Sequence, residues 1–147
     1  MKCICEVESE APAATSSSEV RLPMGLLGFE HIKEYSLLAN PDEQPFGWLQ
    51  VRGNPSLAFV VVDPFLVVTN YKPEIPQPDV DFLGLTQPED AAVFNIVTVH
   101  GPNRATVNLK GPIVINRRTH VGKQVVIANA PEYSVHHPLP VVSEVTA

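Results

Sequence analysis

Cysteine is nearly absent from this chain. Two occur in 147 residues, Cys3 and Cys5, both close to the N-terminus. Two cysteines do not make a disulfide scaffold, and with no second pair they do not complete a zinc site. They sit in an alternating stretch, where Cys3, Cys5 and Val7 share one face of an expected strand. They read as small apolar residues facing a core. Long hydrophobic runs are missing too. Nothing approaches the roughly 18 residues of a membrane span, and Met1 to Glu6 lacks the roughly 7–15-residue apolar stretch of an export signal. The expected compartment is therefore the cytoplasm, with no membrane partner.

Positive charge is in short supply, with 10 Lys and Arg against 16 Asp and Glu and a net charge of −6. Nucleic-acid binding needs basic side chains to displace phosphate counterions, so direct binding to DNA or RNA is not expected. The charge is uneven. Residues 31–103 carry three basic and nine acidic side chains, and residues 104–147 carry five basic and two acidic. No G-x-S-x-G, H-E-x-x-H, Walker A or G-x-G-x-x-G pattern is present. His31, His100 and His120 are scattered, and His136 and His137 would point apart on a strand. The sequence gives no reason to expect a catalytic residue, a cofactor or a metal, and the chain reads as a binding protein, not an enzyme.

Proline is abundant instead, with 15 spread along the chain. A proline inside a helix costs roughly 3 kcal/mol, so long helices have little room. Strand patterns are frequent: residues 2–8, Val20–Pro23, Tyr35–Ala39, Phe46–Val51, Leu57–Val62, Val93–Val99, Ala105–Leu109, Ile113–Asn116 and Gln124–Ala128. Leu57–Val62 (LAFVVV) is apolar throughout and is expected to be buried on both faces. Ser9–Ser18 reads as a mobile loop. Helical turns are expected over Glu30–Lys33 and Asp79–Leu85, the latter with Asp79 as N-cap. Tyr71–Pro78 holds three prolines and should be extended or irregular. The last three strands look like a meander. The fold class is all-β: one barrel-like domain over residues 1–130, with about eight or nine short, mainly antiparallel strands. Residues 131–147 form a Pro-rich tail, expected to be loosely ordered.

The aromatic residues Phe46, Trp48, Phe59, Phe65 and Tyr71 cluster in sequence and read first as core packing. Arg117 and Arg118 read as a solvated turn. Proline cannot donate to a ladder, so Gly111-Pro112 marks a bulge or edge in an otherwise good strand run.

Five stretches resemble one family. Leu22-Pro23-Met24-Gly25-Leu26-Leu27-Gly28-Phe29-Glu30 is similar to its FP-x-G-[IL]-P-G-F-E opening. Phe46-Gly47-Trp48-Leu49-Gln50 resembles its PF-x-x-LQ strand. Leu57 to Pro64 resembles F-x-V-x-DP, with Tyr71 at the family's tyrosine. Ala105 to Asn116 (ATVNLKGPIVIN) resembles TVNL-x-APIVIN, and Gly122 to Val126 follows it. The family is FliW, the flagellar assembly factors. Leu27 departs from the family's proline and Gly111 from its alanine, and the 9–18 loop is longer than usual. The resemblance implies a compact β-barrel-like fold and two protein partners, flagellin and the translational repressor CsrA. It further implies a partner exchange: flagellin accumulating in the cytoplasm takes up the FliW protein and frees CsrA to repress flagellin mRNA. The expected contact residues are Tyr71, Lys72 and Glu74 in the Pro-rich stretch, with Asn108 and Lys110 at the bulge. The alternative reading of the residues is a small ligand-binding or flavin-type β-barrel enzyme.

Overall fold

A computed structural model describes residues 5–6, 16–39, 42, 45–54, 56–101 and 104–139. Ten strands lie among them: β1 (Cys5–Glu6), β2 (Ser16–Arg21), β3 (Glu34–Ala39), β4 (Phe46–Val51), β5 (Leu57–Val62), β6 (Ala91–Gly101), β7 (Arg104–Val107), β8 (Ile113–Asn116), β9 (Gly122–Gln124) and β10 (His137–Pro138). All the strand pairings are antiparallel, and the fold class is all-β as expected. Two strands of two residues each carry the count past eight or nine. Two short helices, α1 (Pro64–Val67) and α2 (Gln77–Leu83), complete it with two 3₁₀ turns.

Strand β6 organises the sheet. It spans 11 residues, twice a usual strand. On one edge it meets the end of β5, with Val61 opposite Ile96. On the other edge its first half pairs with β8, Phe94 opposite Ile113, and its second half with β7, Val97 opposite Val107. Strands β7 and β8 therefore run consecutively along one edge, and residues 108–112 bulge out between them. This is the bulge that Pro112 signalled. Asn108 builds it: its Oδ1 accepts from the backbone N–H groups of Lys110 and Gly111, at 3.0 and 3.1 Å.

From β6 the sheet curls through β5, β4 and β3 to β2 on one side and through β8 to β9 on the other. The two ends meet at a single parallel bridge, Arg21 to Val121, with Arg21 N–H donating to the His120 carbonyl at 3.0 Å. The ring is nearly closed but is not a continuous barrel. Inside it lie Leu22, Leu26, Tyr35, Leu49, Phe59, Val61, Ile96, Ile113 and Ile115. The opposite faces of the same strands are also covered. Val62 and Val97 join Tyr71, Val107 and Leu109 in a second cluster, and Val114 packs with Leu83 and Val125 in a third. Burial on both faces explains why LAFVVV and IVIN are apolar without alternation.

Several local expectations are corrected. The segment 30–33 is a turn, not a helix. The loop read over Ser9–Ser18 does not include Ser16, Ser17 and Ser18, which pair with β3, and residues 9–15 lie outside the described residues. Helix α2 begins two residues before Asp79, with Pro76 at the N-cap position and Pro78 inside the first turn, where a proline is tolerated; Asp79 is ion-paired with Lys123 instead of capping. Residues 125–128 continue past β9 outside regular strand, although Val125 and Ile127 still donate to the Pro112 and Lys110 carbonyls. The expected meander is instead two hairpins, β6–β7 and β8–β9, joined where β8 pairs with β6. The stretch from 131 to 139 is not loose: β10 pairs with β7, Leu109 N–H donates to the Ser134 carbonyl, and Tyr133 packs against Tyr71. The strand read over residues 2–8 and its cysteine face fall, apart from the backbone of Cys5 and Glu6, outside the described residues, as does the tail beyond Leu139.

Leu27, which replaces the family's proline, is exposed and donates its N–H to Gln124 Oε1 at 2.9 Å. A proline has no such donor. Gly25 in the same loop has φ +68°, and a Cβ there would lie 2.5 Å from the Glu30 backbone, so only glycine fits.

Phe59 is 1% exposed and meets Phe29 edge-on at a centroid distance of 5.3 Å. Phe59→Ala should cost about 3–5 kcal/mol of stability, by loss of transfer free energy and opening of a cavity. A urea denaturation midpoint unchanged from the parent would contradict this placement.

Candidate functional site

The outer face of β6 and β8 carries a groove of about 610 Å³. Its floor is Ala91, Val93 and Val114, its near wall Phe65, residues 71–73 and Ile75, its far wall Val80 of α2 and residues 85–88. Each wall has a local cause. Asp63 caps α1, its Oδ1 accepting from Phe65 N–H at 3.0 Å, with Pro64 at the first helical position. That short helix presents Phe65 and Leu66 outward, 53% and 63% exposed. Phe65 also stands 5.9 Å from the Tyr71 ring. An aspartate cap followed by a proline at the first helical position is the sequence signal that marks this helix.

Tyr71 is the post behind the near wall. It is buried, and its Oη donates to the Leu109 carbonyl at 2.6 Å and accepts from Asn95 Nδ2 at 3.3 Å. Asn95, fully buried, also donates to the Asn108 carbonyl at 2.7 Å. Its Oδ1 has no partner among the described residues. Burial pushes the Tyr71 phenol up to about 12, so it stays a neutral donor at any physiological pH. The chain then runs extended from Lys72 to Pro76. Asn129 takes both sides of it as a backbone would: its Oδ1 accepts from Glu74 N–H, and its Nδ2 donates to the Lys72 carbonyl, each at 2.9 Å. Tyr133 Oη accepts from Lys72 N–H at 3.0 Å.

The far wall hangs on Asp90. Its Oδ2 accepts from the Thr86 hydroxyl at 2.7 Å, from Thr86 N–H at 3.0 Å and from Gln87 N–H at 3.2 Å, and Arg118 stands 3.6 Å away. The Thr86 hydroxyl, and then the backbone donors, hold this carboxyl below its ordinary range. On the other side of α2, Asp79 is ion-paired with Lys123.

The five residues expected at an interface divide in two. Tyr71 and Asn108 are joined through Asn95, but both are committed to structure: Tyr71 as the buried post, Asn108 as the clip of the bulge. Lys72 is exposed and lines the groove. Glu74 is exposed beside it, with its backbone N–H and carbonyl engaged by Asn129 and Ala128. Lys110 lies half-buried on the bulge, its carbonyl accepting from Ile127. Among the apolar groove residues, Phe65 and Ile75 lie in the Pro-rich stretch from Phe65 to Pro78 expected at the interface, whereas nothing in the sequence marks Val80, Leu85 and Val93 as part of a site. They come from three separated segments, and only the fold brings them together. Among the described residues no group of three or more His, Cys, Asp or Glu could hold a metal ion, and no helix is long and apolar enough to cross a membrane.

Tyr71→Phe keeps the ring and removes the hydroxyl, leaving the Leu109 carbonyl and Asn95 Nδ2 each short of a partner. It should cost about 1–3 kcal/mol in chemical denaturation; an unchanged midpoint would show that the hydroxyl is not holding the post. Asp90→Ala should lower the melting temperature at neutral pH. The native carboxylate is favoured, so its contribution is complete above the ordinary carboxylate pKa of about 4 and is lost as pH falls through the lowered folded value. The gap between parent and variant should therefore close in melts run towards pH 3. A gap independent of pH would rule out this charge-based role.

The chain's resemblances agree with the groove's setting in a known fold. The FliW protein family profile matches residues 6–139. A flagellar assembly factor FliW from Oceanobacillus iheyensis is 42% identical over 116 residues, covering 78% of each chain. One from Leptospira biflexa is 41% identical over 111 residues, covering 74% of this chain and 72% of that one. A crystal structure of the flagellar assembly factor FliW superposes with a TM-score of 0.74 at 35% identity, over 82% of this chain and 84% of the other. The chain belongs to the FliW family of flagellar assembly factors.

Proposed function

We propose that this chain works in the cytoplasm by binding CsrA and flagellin in mutually exclusive complexes, and that the outer groove is where CsrA docks. The observation that carries the docking site is the groove itself: an apolar trough lined from two short helices, with the exposed Phe65 in its wall. Exposed apolar surface bordered by polar residues marks interaction sites, and aromatic residues are favoured anchors. The switch rests on membership of the family of flagellar assembly factors, and on no chemistry visible in the groove.

Charge gives the proposal a mechanism. The charged residue lining the groove is Lys72, but the segment 31–103 that supplies all of the lining except Val114 carries nine acidic and three basic side chains around it. A repressor of translation must attract RNA phosphates with basic surface. An acidic protein docked beside that surface lowers the local positive potential and weakens RNA binding without filling the RNA site. Such an effect is screened over roughly 8–10 Å at physiological salt.

The test combines competition with substitution. Purified chain, CsrA and flagellin are mixed and separated by size, and the affinity of Phe65→Ala for each partner is measured beside Ser17→Ala, an exposed change on β2. Expected is displacement of CsrA by stoichiometric flagellin, with CsrA binding at least about tenfold weaker for folded Phe65→Ala and unchanged for Ser17→Ala. A stable ternary complex would sink the exclusive switch. A Phe65→Ala protein binding CsrA within about 0.5 kcal/mol of the parent would place the interface elsewhere.

A further inference from the structure

Two histidines that lie 36 positions apart in sequence come together away from the groove. The β6–β7 ladder is in register at Val99 opposite Ala105 and again at Gly101 opposite Arg104, with a shift between them. His100 is the odd residue of that shift. A bulge re-aims its side chain, and the His100 ring stands beside that of His136, with centroids 6.2 Å apart and planes tilted by 31°. His100 Nε2 lies 2.8 Å from the hydroxyl of Thr106, which is buried. Both rings are on exposed residues.

We propose that His100 and His136 form a two-histidine site for a late first-row divalent ion such as Ni²⁺ or Cu²⁺. Imidazole suits these ions, and they accept nearly trans ligands in square-planar or tetragonal geometry. Metal–nitrogen bonds of about 2.0–2.1 Å put a ring centroid roughly 3.2 Å from the ion, so two nearly trans rings have centroids about 6.0–6.4 Å apart, against about 5.2 Å at tetrahedral zinc. The observed separation falls in that range. Thr106 supplies what a ligating histidine needs on its other nitrogen: with the ion on Nδ1, the proton sits on Nε2 and is donated to the hydroxyl, fixing tautomer and ring orientation. Two protein ligands leave the remaining positions to water. The ion would also have a mechanical effect. His136 belongs to the stretch that runs from Asn129 and Tyr133, which hold Lys72 and Glu74, to β10 on the sheet edge. Tying His136 to β6 would pin that stretch.

The test uses the full chain without an affinity tag and NiCl₂ alone as the probe. Calorimetric titration should show one site, and melting temperature should rise with Ni²⁺ and fall back on adding a chelator. His100→Gln and His136→Gln should each weaken binding at least tenfold and remove the rise, while His137→Gln, one residue away on β10, keeps both. Absence of binding by the parent chain, or binding by His100→Gln or His136→Gln as tight as the parent's, would overturn the site.

Discussion

Everything on the outer face of this protein depends on how one long strand keeps two shorter ones in line. Strand β6 offers a single edge to β7 and then to β8, and these can both use it only if the chain between them is taken up without breaking the ladder. Asn108 does this with one side-chain oxygen on two backbone donors. Behind it, Asn95 and Tyr71 tie the bulge carbonyls to the outer layer. The hydrogen bonds of Tyr71 are buried and the others partly buried, where leaving them unmade is expensive. The groove is a consequence of this arrangement. Its floor is Ala91, Val93 and Val114 on β6 and β8, and Tyr71 stands in its near wall.

The same arrangement separates two kinds of residue that look alike in a one-dimensional reading. Tyr71, Asn108, Lys72 and Glu74 are all polar groups in irregular or Pro-rich segments, and each could have been a contact. Burial divides them. The first two spend their polar atoms inside the protein, while Lys72 and Glu74 keep their side chains at the surface and give up only backbone groups. A family tyrosine is thus explained by folding alone, and the exposed apolar residue beside it, Phe65, becomes the more informative one.

Much of the fold was legible because it rests on local chemistry. Ile113–Asn116 and Phe46–Val51 are strands at the expected limits, and Leu57–Val62 is buried on both faces as its unbroken apolar run implied. Pro112 announced a bulge because proline has no N–H to give a ladder. What was not legible depends on distant partners. Asp79 looks like a helix cap until Lys123, 44 positions away, is placed beside it. Ser16 to Ser18 have a loop's composition and become strand only because β3 offers them an edge. The segment from 131 to 139 looks like a tail because of its prolines, yet β10 pairs with β7, Leu109 N–H donates to the Ser134 carbonyl and Tyr133 packs against Tyr71. The groove shares this limit, since its walls come from parts of the chain that have no sequence signal in common.

The seam where β2 meets β9 has a consequence of its own. Around most of the ring each strand is held by a ladder of several pairs, but here closure rests on one bridge. It is also a crowded and conformationally costly place: His120 sits at φ 63°, and a Cβ on Gly122 would lie 2.8 Å from Ile115 and 3.0 Å from Leu22. Parting the strands at this point gives up little backbone bonding while leaving the ladders on either side intact. The seam is therefore the natural low-energy opening of the molecule, a unit that can exchange its amide protons with solvent well below the free energy of global unfolding.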